Sequence, residues 1–154
     1  MLQAFFHWLI NSPFSHAMNK GEWVFPAVQS LHFIGFAMSI GTIAMVDYRL
    51  LGFGKGHADT AELARGLAKW TGAGIAVMLI TGPLMFSTDA VGYPNNPAFQ
   101  FKMACLAVAL LFHFTVHRWA VRPGAAVVFG KIAAVISLVL WSAVVAGGRM
   151  IAFI

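Results

Sequence analysis

The sequence predicts an all-α protein, an integral-membrane four-helix bundle with a short N-terminal interfacial helix. Three observations carry that expectation. Of the 154 residues, 60% are hydrophobic and only 10% are charged, where soluble domains carry roughly 25% charged residues. The mean hydropathy is +0.79. The apolar residues also gather into four runs of membrane-crossing length, each bounded by polar or turn-forming residues. A bilayer core of about 30 Å needs roughly 20 apolar residues per helix. The chain therefore reads as one transmembrane domain, 1–154, with short connections and no soluble domain.

Composition also excludes function classes. The formal charge of +5 would suggest nucleic acid in a soluble protein, but the basic residues cluster at the ends of the apolar runs, where they set topology. Nucleic acid is therefore not an expected partner. Cys105 is the sole cysteine, so no intramolecular disulfide can form. A basic n-region and a small-residue cleavage site are both missing from the N-terminus, so no removable signal peptide is expected. Nucleophile motifs, phosphate loops and paired carboxylates are lacking too. With five acidic residues in all and none expected within a span's interior, acid/base hydrolysis has little to work with.

Taken in order, residues 2–11 combine Phe5, Phe6, Trp8, Leu9 and Ile10 with Gln3, His7 and Asn11. That stretch is too short to span and suits a helix lying in the interface. Ser12-Pro13 ends or turns it, and Asn19 to Glu22 form a polar break. Span one covers about 23–51, with Pro26 tolerated in its first turn and Trp23 and Tyr48 as interfacial anchors. Residues 52–69 form a polar connection with an amphipathic turn over 60–67. Span two, about 70–86, carries Gly72, Gly74 and Gly82-Pro83, which predict close packing and a kink. The turn-rich segment 87–98 precedes span three, about 99–119. Pro123-Gly124 breaks that helix, and span four covers about 130–151.

Arg49, Lys55, Arg65, Lys69, Arg118, Arg122 and Lys131 fall on one side of this arrangement, against Lys20, Lys102 and Arg149 on the other. The richer side is expected to be cytoplasmic. This places the protein in a bacterial inner membrane with both termini in the periplasm.

The candidate site follows from histidines inside apolar spans, which are uncommon and read as functional by default. His32 shares a helical stripe with Gly35, Ser39 and Thr42, and His113 shares one with Leu106, Ala109 and His117. Two helices that each present one imidazole inward can cradle a b-type haem. On this reading His32 and His113 ligate the haem iron. Gly35, Ser39 and Ala109 make room for the macrocycle, and Arg149 pairs with a propionate. His113 comes out roughly half a dozen ångströms or more deeper than His32, which leaves His117 or a second site open.

The alternative ligand is copper or another metal on His113 and His117, one helical turn apart, with Met38, Met45, Met78 and Met85 as soft donors; those methionines also serve simply as core filling. A cofactor-free structural subunit is the third reading. Asp47 and Arg49 read most simply as an interfacial charge cluster, with proton entry at Asp47 as the other role.

The strings LHFIGFAMSIGTIAMVDYRLLG, AFQFKMACLAVALLFH and WSAVVAGGRMIAF resemble a small bacterial four-span membrane family of unknown function. In layout the chain is more distantly similar to the CopD-type copper-resistance domain and to b-type cytochrome bundles. By that resemblance the family pattern falls on His32, Asp47, Arg49, Phe99, Lys102, His113 and Arg149, and haem b or copper is implied by analogy. The expected function is that of a membrane b-type cytochrome or haem-binding subunit, an electron-transfer component more than a stand-alone enzyme. It would work between quinone or a periplasmic partner and a redox complex, as a homo-oligomer or as a subunit of that complex.

Overall fold

The computed structural model describes residues 2–53, 59–151 and 153, and among them helices are the only regular secondary structure. Lys55, one of the cations behind the expected orientation, lies outside the described residues. Helix α1 spans Leu2–Ile10 and α2 spans Pro13–Lys20. Ser12-Pro13, expected to end or turn the first helix, follows its end at Ile10 and also starts the next one. The Ser12 hydroxyl accepts the Ser15 N–H at 3.2 Å, and Pro13 takes the first helical position, where its missing N–H costs nothing.

Helix α3, Val24–Leu50, is the first span, close to its expected bounds. Helix α4 runs Thr60–Phe86 and starts ten residues before the expected span two, absorbing most of the stretch read as a loop. Asp59 caps it by accepting from the Ala61 N–H, and Glu62 lies in its first turn, an acidic start that suits the positive end of the helix dipole. Pro83 does not end it. Short 3₁₀ turns over Ser87–Asp89 and Tyr93–Asn95 follow.

Helix α5, Pro97–Phe112, is capped by Asn96, whose Oδ1 accepts from the N–H groups of Ala98 and Phe99 at 2.9 and 3.1 Å. It passes into a π-helical turn, His113–His117, and then into α6, Arg118–Ala120. Gly124 makes the next turn at φ +83°. Helix α7, Val127–Met150, completes the bundle. Among the described residues four helical stretches are thus long and apolar enough to cross a membrane, with exposed Leu79, Ile80, Leu111, Val128 and Val139 on faces compatible with lipid.

Among the spans, α4 packs along α3 and α5 along α7, while α3 and α7 join the two pairs. The α3–α4 seam is closest where Gly35 meets Gly74. A Cβ on Gly74 would stand 2.5 Å from the Gly35 carbonyl oxygen and 2.7 Å from the Ser39 nitrogen, so only glycine permits this approach. Hydrogen bonds pin the same seam at Thr42–Thr71, 2.8 Å, and His32–Thr81, 2.7 Å. Pairing of 32 with 81 and 42 with 71 makes the two helices antiparallel. At one end of the bundle Phe86, Tyr93 and Phe99 stack with centroids 5.5 to 6.1 Å apart. The centre is a cluster of Ile43 from α3, Ala109 from α5, and Trp141 and Val144 from α7.

Candidate functional site

The cluster at Ile43, Ala109 and Trp141 fixes what lies one turn further along each helix. Spans one and three run in the same direction and span four runs opposite, so the next turn brings Asp47, His113 and, stepping backward, Ser137 to one level, about 6 Å from the cluster. This level gathers the buried polar side chains Asp47, His117 and Ser137. Asp47 is 0% exposed and His117 3%. The His117 Nε2 lies 2.7 Å from Asp47 Oδ1. Helical side chains lean toward the N-terminus of their helix, so His117, one turn beyond His113, reaches back into the same layer. The π-helical turn that holds both histidines is a feature that often marks functional sites in helices. The His113 and His117 rings stack with centroids 5.2 Å apart and planes at 29°.

Physical chemistry makes this layer demanding. A carboxylate inside a bilayer is costly unless a charged or hydrogen-bonding partner offsets it. His117 provides the donor and, when protonated, the opposite charge. Asp47 Oδ2, His113 Nδ1 and Ser137 Oγ are buried, with no hydrogen-bond partner among the described residues.

His32 belongs to a different part of the fold. The Thr81 hydroxyl donates to the Val77 carbonyl at 2.7 Å, so it accepts from His32 Nδ1–H, which leaves Nε2 as the acceptor of the neutral ring. Eleven residues separate His32 from Ile43, and four separate Ala109 from His113 in the same direction. At 1.5 Å per residue the two histidines stand on the order of 20 Å apart along the bundle. One iron needs both axial nitrogens bound directly to it, so the expected pair is not brought together. The small residues expected to make room for a macrocycle are also filled: Gly35 and Ser39 are occupied by α4, and Ala109 is packed in the central cluster. Arg149 is exposed in the last turn of α7. Among the described residues no group of three or more His, Cys, Asp or Glu side chains is placed to hold a metal ion.

Residues 5–154 match the model of DUF6644, described as a family of unknown function. The chain belongs to the DUF6644 family. No curated protein and no solved structure matches it.

In this DUF6644 chain the residue read as an interfacial charge, Asp47, is the most deeply buried charged group among the described residues, and the histidine read as an alternative metal ligand, His117, is its partner. Span one therefore does contain an acidic residue. The signal was present in the periodicity: the inward stripe through Gly35, Ser39 and Ile43 lands on Asp47 when carried one turn further. Its neighbour Arg49, two positions on, pointed the other way, toward an ordinary charged helix end.

Proposed function

We propose that this DUF6644 protein handles protons inside the membrane, with the Asp47–His117 pair as the protonatable centre and His113 as the adjoining station. The observation that supports it most is the 2.7 Å contact between two buried titratable groups on different spans. Intramembrane Asp and His groups that pair across helices are the usual material of proton relays in membranes. The site lies one turn from the end of α3, so a proton has a short path to water on the face that carries Arg49, Arg118 and Arg122. By the excess of Lys and Arg, that face is cytoplasmic and the membrane is a bacterial inner membrane. The haem reading depended on His32 and His113 sharing one iron, and their separation is the reason a proton is preferred to an electron as the transferred species.

The test is proton flux into proteoliposomes loaded with a pH-sensitive dye, driven by a potassium diffusion potential. Wild-type protein is expected to conduct above protein-free vesicles, and Asp47→Asn to return to that background. Equal flux from wild type, Asp47→Asn and empty vesicles would remove the proposal.

A further inference from the structure

We infer that Asp47 Oδ2, His113 Nδ1 and Ser137 Oγ together bind one buried water molecule, which closes a continuous hydrogen-bonded chain from His117 through Asp47 to His113. The inference rests on the proton-handling reading and specifies how the proton moves within that site. Its basis is the set of buried side-chain polar atoms without a protein partner among the described residues. There are three, they come from three different spans, and helical periodicity sets all three one turn from the same cluster of Ile43, Ala109 and Trp141. Buried polar groups in proteins are rarely left unsatisfied. Three orphans converging on one layer therefore describe a ligand with at least one donor and one acceptor.

Chemistry selects water over the other small ligands. Asp47 Oδ2 accepts only, when ionised. Ser137 Oγ both donates and accepts, and the His113 nitrogen does one or the other by tautomer. Water donates twice and accepts twice, and a buried water typically makes about three hydrogen bonds. Sodium or another hard cation takes a shell of about six oxygens, and the layer offers only two oxygens from these side chains. A transition metal would draw on several His, Cys or carboxylate ligands, and no such group is assembled among the described residues.

The chain so closed has a balanced transfer step. The protonated His113 ring gives its Nδ1 proton to the water oxygen, and the water passes one of its own protons to Asp47 Oδ2. One N–H and one water O–H bond break, while one water O–H and one carboxyl O–H bond form. Water is regenerated, His113 becomes neutral, and Asp47 becomes a carboxylic acid still hydrogen-bonded through Oδ1 to His117. Ser137 acts as a positioning residue that holds the water without exchanging the transferred proton. The charged groups nearest in sequence to the site are Arg49 on α3 and Arg118 on α6.

The experiment is infrared difference spectroscopy between protonated and deprotonated protein, reconstituted in lipid, in ordinary water and in water labelled with oxygen-18. Wild type is expected to show an O–H stretching band that shifts with the label. Ser137→Ala should lose it and Ser137→Thr, which keeps a hydroxyl, should retain it, with helical circular dichroism unchanged in both. The proton flux assay on the same variants separates the two ideas. Loss of both the band and the flux in Ser137→Ala, with both kept in Ser137→Thr, supports the water. A wild type without a label-sensitive band, or a Ser137→Ala variant that keeps both band and flux, overturns it even where Asp47→Asn abolishes flux. Flux that follows a sodium gradient in place of a proton gradient overturns it as well. Background flux from wild type itself overturns the proton reading, whatever the spectra show.

Discussion

At the residue scale, the Asp47–His117 pair and the His32–Thr81 hydrogen bond look similar in length, both at 2.7 Å, yet they differ in consequence. Interhelical hydrogen bonds in membranes average about 0.6 kcal/mol, which makes His32–Thr81 a pin for the α3–α4 register more than a main source of stability. Removing the hydrogen-bonding partner of a buried carboxylate leaves that charge without compensation and costs about 3–5 kcal/mol. His117→Ala is therefore expected to destabilise the protein by that amount, read by unfolding in a detergent titration. On an Asp47→Asn background, where no charge is left to strand, the same change should cost much less, with a coupling of about 1–3 kcal/mol in the double-mutant cycle. Additive losses would show that the two residues are buried separately and do not act as a pair.

At the element scale, the seam between α3 and α4 is built on backbone contact. Gly74 has no room for a methyl group, whereas nothing lies within 4 Å of a Cβ placed on Gly72. The two glycines sit two residues apart in the same helix and separate packing from propensity. Gly74→Ala is expected to destabilise by about 1–3 kcal/mol through overpacking. Gly72→Ala is expected to be neutral or to stabilise by up to about 1 kcal/mol, because alanine is the better helix former. Detergent-titration unfolding of both variants decides the matter, and equal effects would contradict the seam. The same geometry explains why a small-residue stripe was ambiguous in the sequence. Small residues admit either a neighbouring helix or a flat ligand, and only the partner's identity, here α4, resolves which.

At the scale of the whole molecule, the antiparallel α3–α4 pair and the alternation of four spans put the start of α3 and the end of α7, with α1 and α2, on one face of the bundle and the 121–126 connection on the other. Single cysteines in a Cys105→Ala background report this directly. Under the orientation proposed above, a cysteine at Lys20 is labelled by a membrane-impermeant maleimide in intact spheroplasts, and one at Arg122 only after lysis. The reverse pattern would invert the protein and move Asp47 close to the opposite compartment.

Much of the fold was legible because its signals are local. Apolar run length fixes the number of spans, and charge at their ends biases orientation. The start of span three was read within two positions of Pro97, where Asn96 caps the helix. Ser-Pro did break the first helix, but the start of α2 at Pro13 and the early start of α4 were missed, because proline and a polar first turn also suit a helix N-terminus. The site was only half legible. Histidines in apolar runs marked the residues to examine, and periodicity put His113 on an inward stripe, whereas Asp47 read as an interfacial charge. Which histidine meets which partner depends on the relative depth of α3, α5 and α7, and on a π-helical turn that lets His117 reach back toward Asp47. By itself the sequence determined an all-α chain with four helices long and apolar enough to cross a membrane, since hydrophobicity and helical period act within a single helix. Only the tertiary structure decided that His32 and His113 stand far apart and that Asp47 and His117 touch, because helix registry is set by contacts between residues about 70 positions apart.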